Sequence, residues 1–292
     1  MRVMVIGADG QLGVDLVKAL VAQGEAATAL TEADIDVCNP ELVRWNFECH
    51  RPDVVLNTAV YHPVDDCELH PDRAFAVNAL GARILALAAR EHKATLLHFS
   101  SDYVFDGEQA RPYRESDCPA PQSVFGASKV AGEQMIRATQ QRHFIIRTSG
   151  LYGLAGSKAK GGNFVDTMLR LGREKGSVRV VNDQRMAQTS TRSLAEQVAV
   201  LIRTGHYGTF HASDHGDYSW YEFALKIFEY SGMDVKVTPV TSQEFPTVAP
   251  RPRYSVLENA RLRALGLDQM EPIDVALQAY LRSRDSLSAQ GV

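Results

Sequence analysis

A chain of 292 residues, 45% hydrophobic and 23% charged, has room for a large α/β unit with a smaller appendage, which excludes the disordered and fibrous classes. A formal charge of −4, with no basic stripe carrying interleaved aromatics, argues against nucleic acid or an anionic membrane as partner. Cys38, Cys49, Cys67 and Cys118 lack any C-x-x-C or His/Cys ligand spacing, so no metal site is expected; without a leader pattern or a spanning apolar run, a cytoplasmic protein is expected.

In chain order, a strand over 3–6 leads to a helix over 12–22, a strand over 26–30 and a short third strand ending at Asp34 and Ile35. A helix over 40–50 precedes a strand over 54–57, and a helix over 71–91 precedes a strand over 96–100. A helix over 123–140 then leads to a strand over 144–147. Short β-rich runs alternating with helix-length segments predict a doubly wound parallel sheet of Rossmann type buried on both faces. Beyond residue 150 the pattern loosens into a Gly/Ser/Lys-rich loop over 153–162, helices near 163–173, 194–203, 218–230 and 273–282, strands over 178–181 and 208–211, and a loose tail from 285. The reading is an α/β fold in two parts: residues 1–150 plus about 188–212 form the dinucleotide-binding domain, and about 151–187 plus 213–292 a smaller substrate-binding lobe, with the ligand cleft between them.

Gly7-Ala8-Asp9-Gly10-Gln11-Leu12-Gly13 follows the first strand and opens the first helix. Glycines at those places permit a tight turn and close approach of a pyrophosphate, whose charge suits free N–H groups at a helix start. Gly7, Gly10, Gln11, Leu12 and Gly13 are therefore cofactor-binding candidates. The second strand ends Ala29-Leu30-Thr31 without a carboxylate for an adenosine 2′-hydroxyl, Glu32 lying one residue further, so NADP(H) is expected in preference to NAD(H), although no arginine is in evidence for a 2′-phosphate. Asp34 and Ile35 are placed to frame the adenine; a solvated turn carboxylate is the alternative for Asp34.

The segments 7–13, 51–57 leading into 64–68, 77–79, 100–107, 112–115, 125–133, 163–164 with 167–171, 183–184 and 251–252 occur in the order found in one family. The chain resembles the extended short-chain dehydrogenase/reductases and, within them, the dTDP-4-dehydrorhamnose reductase family. That resemblance implies NAD(P)H-dependent reduction of a nucleotide-linked 4-keto-6-deoxyhexose, with a nucleotide sugar as substrate and a homodimer or a partner enzyme as the assemblies left open. It makes Ser101 the hydroxyl on the substrate carbonyl and Lys129 the lysine that orients the cofactor. It adds Thr58, Ala59, Tyr61, Asn78 and Ser100 to the cofactor site, and makes Asp102, Tyr103, Phe105, Asn163 and Arg251 substrate residues. For Tyr103 and Phe105 the bland alternative is core packing at a strand end, for Ser101 a strand-end cap, for Lys129 a solvated helix lysine and for Arg251 a solvated loop residue.

Phe125 stands where the family's proton-donating tyrosine belongs, and a benzyl group has no proton to give. Ser123 replaces an asparagine, Gly150 a tryptophan, and Met186 and Gln188 the glycine and proline of Asp-Gln-x-Gly-x-Pro-Thr. An impaired reductase is the expected function. The alternative is a catalytically silent, cofactor-binding regulatory subunit of the same fold, as the regulatory β subunit of methionine adenosyltransferase resembles this family.

Overall fold

Val54–Asn57 is buried at every position, and so is Thr95–Ser101 except at its last residue, the pattern of strands covered on both faces. The computed structural model describes residues 1–156 and 161–289. Its first half runs β1 (Arg2–Ile6), α1 (Gln11–Ala22), β2 (Ala26–Leu30), α2 (Pro40–His50), β3 (Val54–Asn57), α3 (Val64–Leu69) and α4 (Pro71–Phe75). A π-helical turn (Ala76–Gly81) follows, then α5 (Ala82–Glu91), β4 (Thr95–Ser101), α6 (Val124–Thr139) and β5 (His143–Thr148). The second half comprises β6 (Leu151–Tyr152), α7 (Phe164–Lys175), β7 (Ser177–Val181), β8 (Arg185–Met186), β9 (Thr189–Ser190), α8 (Thr191–Leu201) and β10 (Gly208–His211). It ends with β11 (Tyr218–Ser219), α9 (Trp220–Tyr230), β12 (Lys236–Val240), α10 (Ala260–Ala264) and α11 (Ile273–Ala289).

Six parallel strands form the main sheet in the order β10-β5-β4-β3-β1-β2. The order reverses between β1 and β3, so the loops leaving these two strands diverge and open a crevice at their carboxyl ends, where doubly wound sheets bind ligands. One apolar cluster on the sheet carries α1 and α8 through Leu12, Leu16, Leu20, Leu194 and Val198; the other carries α2 and α5 through Val43, Phe47, Leu85 and Ala89. A third cluster, centred on Val165, Leu169, Phe223, Ile227 and Leu277, lies within the segments expected to form the smaller lobe. Leu262 and Met270, which the sequence reading assigns to that lobe, pack instead with the α1/α8 cluster.

Three expectations are corrected. No strand ends at Asp34: residues 32–34 form a turn in which the Asp34 carboxylate accepts from the Thr31 N–H (2.8 Å) and hydroxyl (2.7 Å), while Ile35 is a core side chain. These donors hold the Asp34 carboxyl below its ordinary range. The helix over 71–91 is rewound at Ala76–Gly81, which a 3.6-residue periodicity does not register. The tail from 285 is helical to Ala289 as the end of α11, and 290–292 lie outside the described residues, as do 157–160 of the Gly/Ser/Lys-rich loop.

Candidate active site

The crevice is built from glycines that have no room for a side chain. Gly7 leaves β1 with φ +76°, and a Cβ there would lie 2.4 Å from Thr58 Oγ1, whose hydroxyl donates to Ile6 O at 2.7 Å. A Cβ on Gly13 would lie 2.1 Å from Gly7 O, so α1 rests directly on the turn. Helix α1 starts at Gly10 with no side-chain cap and no acidic residue in its first turn, which leaves its N–H groups and positive end available to an anion. Gln11 donates to Leu151 O at 3.3 Å, and its buried Oε1 has no partner. Leu12 is a core residue, so only its backbone faces this chemistry. A cradle without side chains and an uncapped helix start fit a dinucleotide pyrophosphate, while the orphaned Gln11 carbonyl calls for a donor such as a ribose hydroxyl.

After β3, the Asn57 side chain accepts from the Ala59 N–H at 3.1 Å and fixes the turn carrying Thr58 and Ala59. Asn78, in the π-helical turn and fully buried, accepts from the Tyr61 N–H (2.9 Å) and donates to Tyr61 O (3.0 Å) and Ser128 Oγ (2.9 Å). A Cβ on Gly132 would lie 2.2 Å from Asn78 O, so the widened turn and α6 meet backbone to backbone. Asn78 therefore clamps the Tyr61 loop, and the Tyr61 hydroxyl itself donates to Asp66.

Beyond β4, the Ser101 hydroxyl donates to Asp102 Oδ1 at 2.9 Å and accepts from the Tyr103 N–H at 3.1 Å. Ser255 donates to Asp102 Oδ2 at 2.6 Å. Burial pushes the Asp102 carboxyl up to about 6 against the pull of those two hydroxyls. The Tyr103 ring meets Phe125 edge-on at 6.0 Å between centroids, and the Arg251 guanidinium lies 6.0 Å from the same ring. Desolvation, with Asp102 beside it, pushes the Tyr103 phenol well above its ordinary value. Arg251 already donates to Asp65 Oδ2 (2.9 Å) and Ala249 O (3.1 Å), so a diphosphate would have to share or displace Asp65.

Helix α6 is capped by Ser123, whose Oγ accepts from the Gly126 N–H at 3.2 Å. Phe125 and Lys129 lie one turn apart on it; Phe125 is 8% exposed and Lys129 only 2%. Lys129 Nζ lies 3.2 Å from His98 Nε2, and His98 Nδ1 lies 2.9 Å from Asn57 Nδ2. Burial pulls the Lys129 amine down to about 8, with the Glu133 carboxylate opposing. Burial and then the Lys129 charge hold His98 well below its ordinary value. One turn beyond Lys129, buried Glu133 accepts two bonds from Arg147 (2.8 and 2.7 Å), one from Arg137 (2.8 Å) and one from Ser100 (2.6 Å).

Three predicted site residues have other work. Phe105 is 1% exposed and stacks on Tyr113 at 4.2 Å with Arg147 at 5.1 Å from its ring, so it is core and not a substrate contact. Asn163 caps α7: its Oδ1 accepts from the Asp166 N–H at 3.0 Å and its Nδ2 donates to Gly153 O and the Tyr280 hydroxyl, so both amide protons are spent within the protein. The Ser100 hydroxyl donates to Glu133 at 2.6 Å. His98, Asn57 and Ser255 were missed; the only signal was a histidine inside an apolar strand, which reads as core.

Residues 1–285 match the family model described as the RmlD substrate binding domain. The chain belongs to that family. It is 40% identical over 285 residues to the spore coat polysaccharide biosynthesis protein SpsK of Bacillus subtilis, covering 98% of each chain. It is 40% identical to a dTDP-4-dehydrorhamnose reductase of Streptomyces griseus, over 94% of this chain and 91% of that one. A dTDP-4-dehydrorhamnose reductase of Bacillus anthracis, solved in complex with NADP, superimposes with a TM-score of 0.92 at 39% identity, over 97% of this chain and 99% of that chain. The expected Rossmann-type fold and resemblance are borne out. No helix among the described residues is long and apolar enough to cross a membrane.

Proposed function

We propose that this member of the RmlD substrate-binding-domain family is an NADPH-dependent reductase of a dTDP-linked 4-keto-6-deoxyhexose. The observation that carries the reading is convergence: the glycine cradle after β1, the Asn57-held turn after β3, Ser101 at the end of β4 and Lys129 on α6 all belong to one end of the sheet, at and beside its switch point. Gly7–Gly13 would hold the pyrophosphate and Lys129 the ribose. When bound, the reduced nicotinamide supplies a hydride for the ketone carbon. Ser101, once turned from Asp102, would hydrogen-bond the ketone oxygen, and Tyr103 and Arg251 line the sugar side.

NADPH is preferred over NADH because no carboxylate guards the end of β2; Asp34 is occupied by Thr31. The NADP bound to the Bacillus anthracis protein supports the same choice. Gly13→Ala would put its methyl against backbone that no side-chain rotation can clear, and NADPH affinity should fall at least about tenfold, a loss of roughly 1.4 kcal/mol, in a fluorescence titration.

The substrate wall differs from the family pattern as a unit. A Cβ on Gly150 would lie 3.1 Å from Gln188 Cα and 3.3 Å from Met186 Sδ, so three departures share one contact. The chain is therefore assigned to dTDP-4-keto-6-deoxyhexoses as a class, with the L-rhamnose precursor as first candidate.

Consumption of NADPH on addition of dTDP-4-keto-6-deoxy-L-mannose tests the reading. No consumption, with both ligands shown to bind by calorimetry, would overturn it. Phe125 is the one observation favouring a silent cofactor-binding subunit, and that outcome would select it.

A further inference from the structure

The hydrogen bonds behind Lys129 run in a direction that fixes who carries protons. The backbone N–H of Ala59 donates to Asn57 Oδ1 at 3.1 Å, so the amide orientation is set and Nδ2 faces His98 Nδ1 at 2.9 Å as a donor. An Nδ1 that accepts leaves the neutral imidazole's only proton on Nε2. That N–H faces Lys129 Nζ at 3.2 Å, and an ammonium has no lone pair to receive it. His98 is thus a partner for the uncharged amine alone. All three side chains are buried: Asn57 is 2%, His98 1% and Lys129 2% exposed.

The charged groups around this chain are few. Glu133, on the same helix, is the anion acting on Lys129, and it is already shared among Arg147, Arg137 and Ser100. From β4 only His98 meets the amine. The Phe125 ring carries no hydroxyl, and the phenol packed against it is that of Tyr103. Two other proton sources are weaker. The Tyr103 phenol holds its proton more tightly than a free one. The Ser101 hydroxyl donates to Asp102 at 2.9 Å at rest and polarises the ketone when turned to it, but an alcohol is a far weaker acid than an ammonium.

We propose that Lys129 delivers the proton to the ketone oxygen in this chain, and that His98 is its positioning residue, bonding the amine that remains. The proposal rests on the reductase reading above. As the ketone carbon is reduced, its π pair moves to oxygen; one Nζ–H bond breaks, an O–H bond forms, and the electron pair left on Nζ receives the His98 Nε2–H. After product leaves, Lys129 regains a proton from water. A hydrogen bond made only to the deprotonated form strengthens the acid, which compensates in part for the missing phenol.

The test begins without cofactor or turnover. In cofactor-free protein carrying ¹³C-labelled lysine, one resonance should titrate near pH 8 and vanish in Lys129→Arg. His98→Leu should raise that midpoint by at least about one pH unit. Asn57→Ala, which removes the donor fixing the imidazole tautomer without adding a charge, lets Nε2 accept from the ammonium and should raise it likewise, so the pairing stays testable if His98→Leu fails to fold. An unmoved midpoint in either folded variant overturns the role of His98. With substrate, kcat/KM of the native chain should fall tenfold per pH unit above about 8, and Lys129→Arg should lower kcat at least about hundredfold, well beyond any rise in the KM for NADPH from the disturbed ribose contact. A limb near pH 6 instead assigns the proton to Asp102 through Ser101 and overturns delivery by Lys129. Absence of native turnover overturns the reductase reading and the delivery step, while the lysine titration still decides the His98 pairing.

Discussion

Phe125→Tyr should raise kcat on dTDP-4-keto-6-deoxy-L-mannose at least about tenfold, and by up to roughly 10⁴-fold, about 5 kcal/mol of barrier, if general acid catalysis is fully restored. The helix is prepared for it. Ser128 Oγ donates to Phe125 O at 2.7 Å, and Ser123 caps the first turn, so one added oxygen leaves the backbone where it is. Lys129 stands one turn further, where its charge would lower a phenol's pKa. The gain should fall on kcat, with the KM for NADPH nearly unchanged, because the hydroxyl acts only as oxygen acquires charge. NADPH oxidation by the two proteins side by side checks this. Failure to gain, with both ligands bound, would favour the regulatory reading.

The parts legible in the sequence were those specified by local pattern. The alternation of apolar runs with amphipathic helices showed the parallel sheet, and the glycine spacing after β1 marked the crevice because backbone contact there leaves no other residue type. The π-helical turn at Ala76–Gly81 was hidden because one widened turn preserves the apolar face on either side of it. Asn163 was misplaced although its local signal was present: an asparagine three residues before Asp166 at a helix start is an N-cap pattern, and the family resemblance outweighed it. His98 could not be read at all. Its meaning comes from Asn57 on the neighbouring strand and Lys129 on the covering helix, and neither contact leaves a trace in the spacing of β4. Gly150, Met186 and Gln188 were separate oddities in the sequence and form one contact in space.

Glu133→Ala should destabilise the protein by about 3–5 kcal/mol, the usual loss when one partner of a buried ion pair is removed. The side chains of Glu133 and Arg147 are 0% and 2% exposed, and among the described residues the carboxylate is the only acceptor of the Arg147 guanidinium, whose third nitrogen has no partner there. Arg137→Ala should cost under about 1 kcal/mol, since that side chain is 30% exposed and screened by water. Replacing both Glu133 and Arg147 by apolar residues should cost less than Glu133→Ala alone, because no buried charge is then stranded. Burial by itself pushes the Glu133 carboxyl up, but Arg147, Ser100 and Arg137 hold it below its ordinary value. Its contribution is therefore fully present above the unfolded carboxyl's pKa of about 4.3 and is lost as pH falls through the lower folded value. Denaturant unfolding of native and Glu133→Ala proteins should show a gap that narrows below about pH 4. A constant gap across that range would mean that the loss comes from the cavity and not from the charge. The distinction bears on catalysis, because the same carboxylate ties Ser100 at the end of β4 to the helix that carries Lys129.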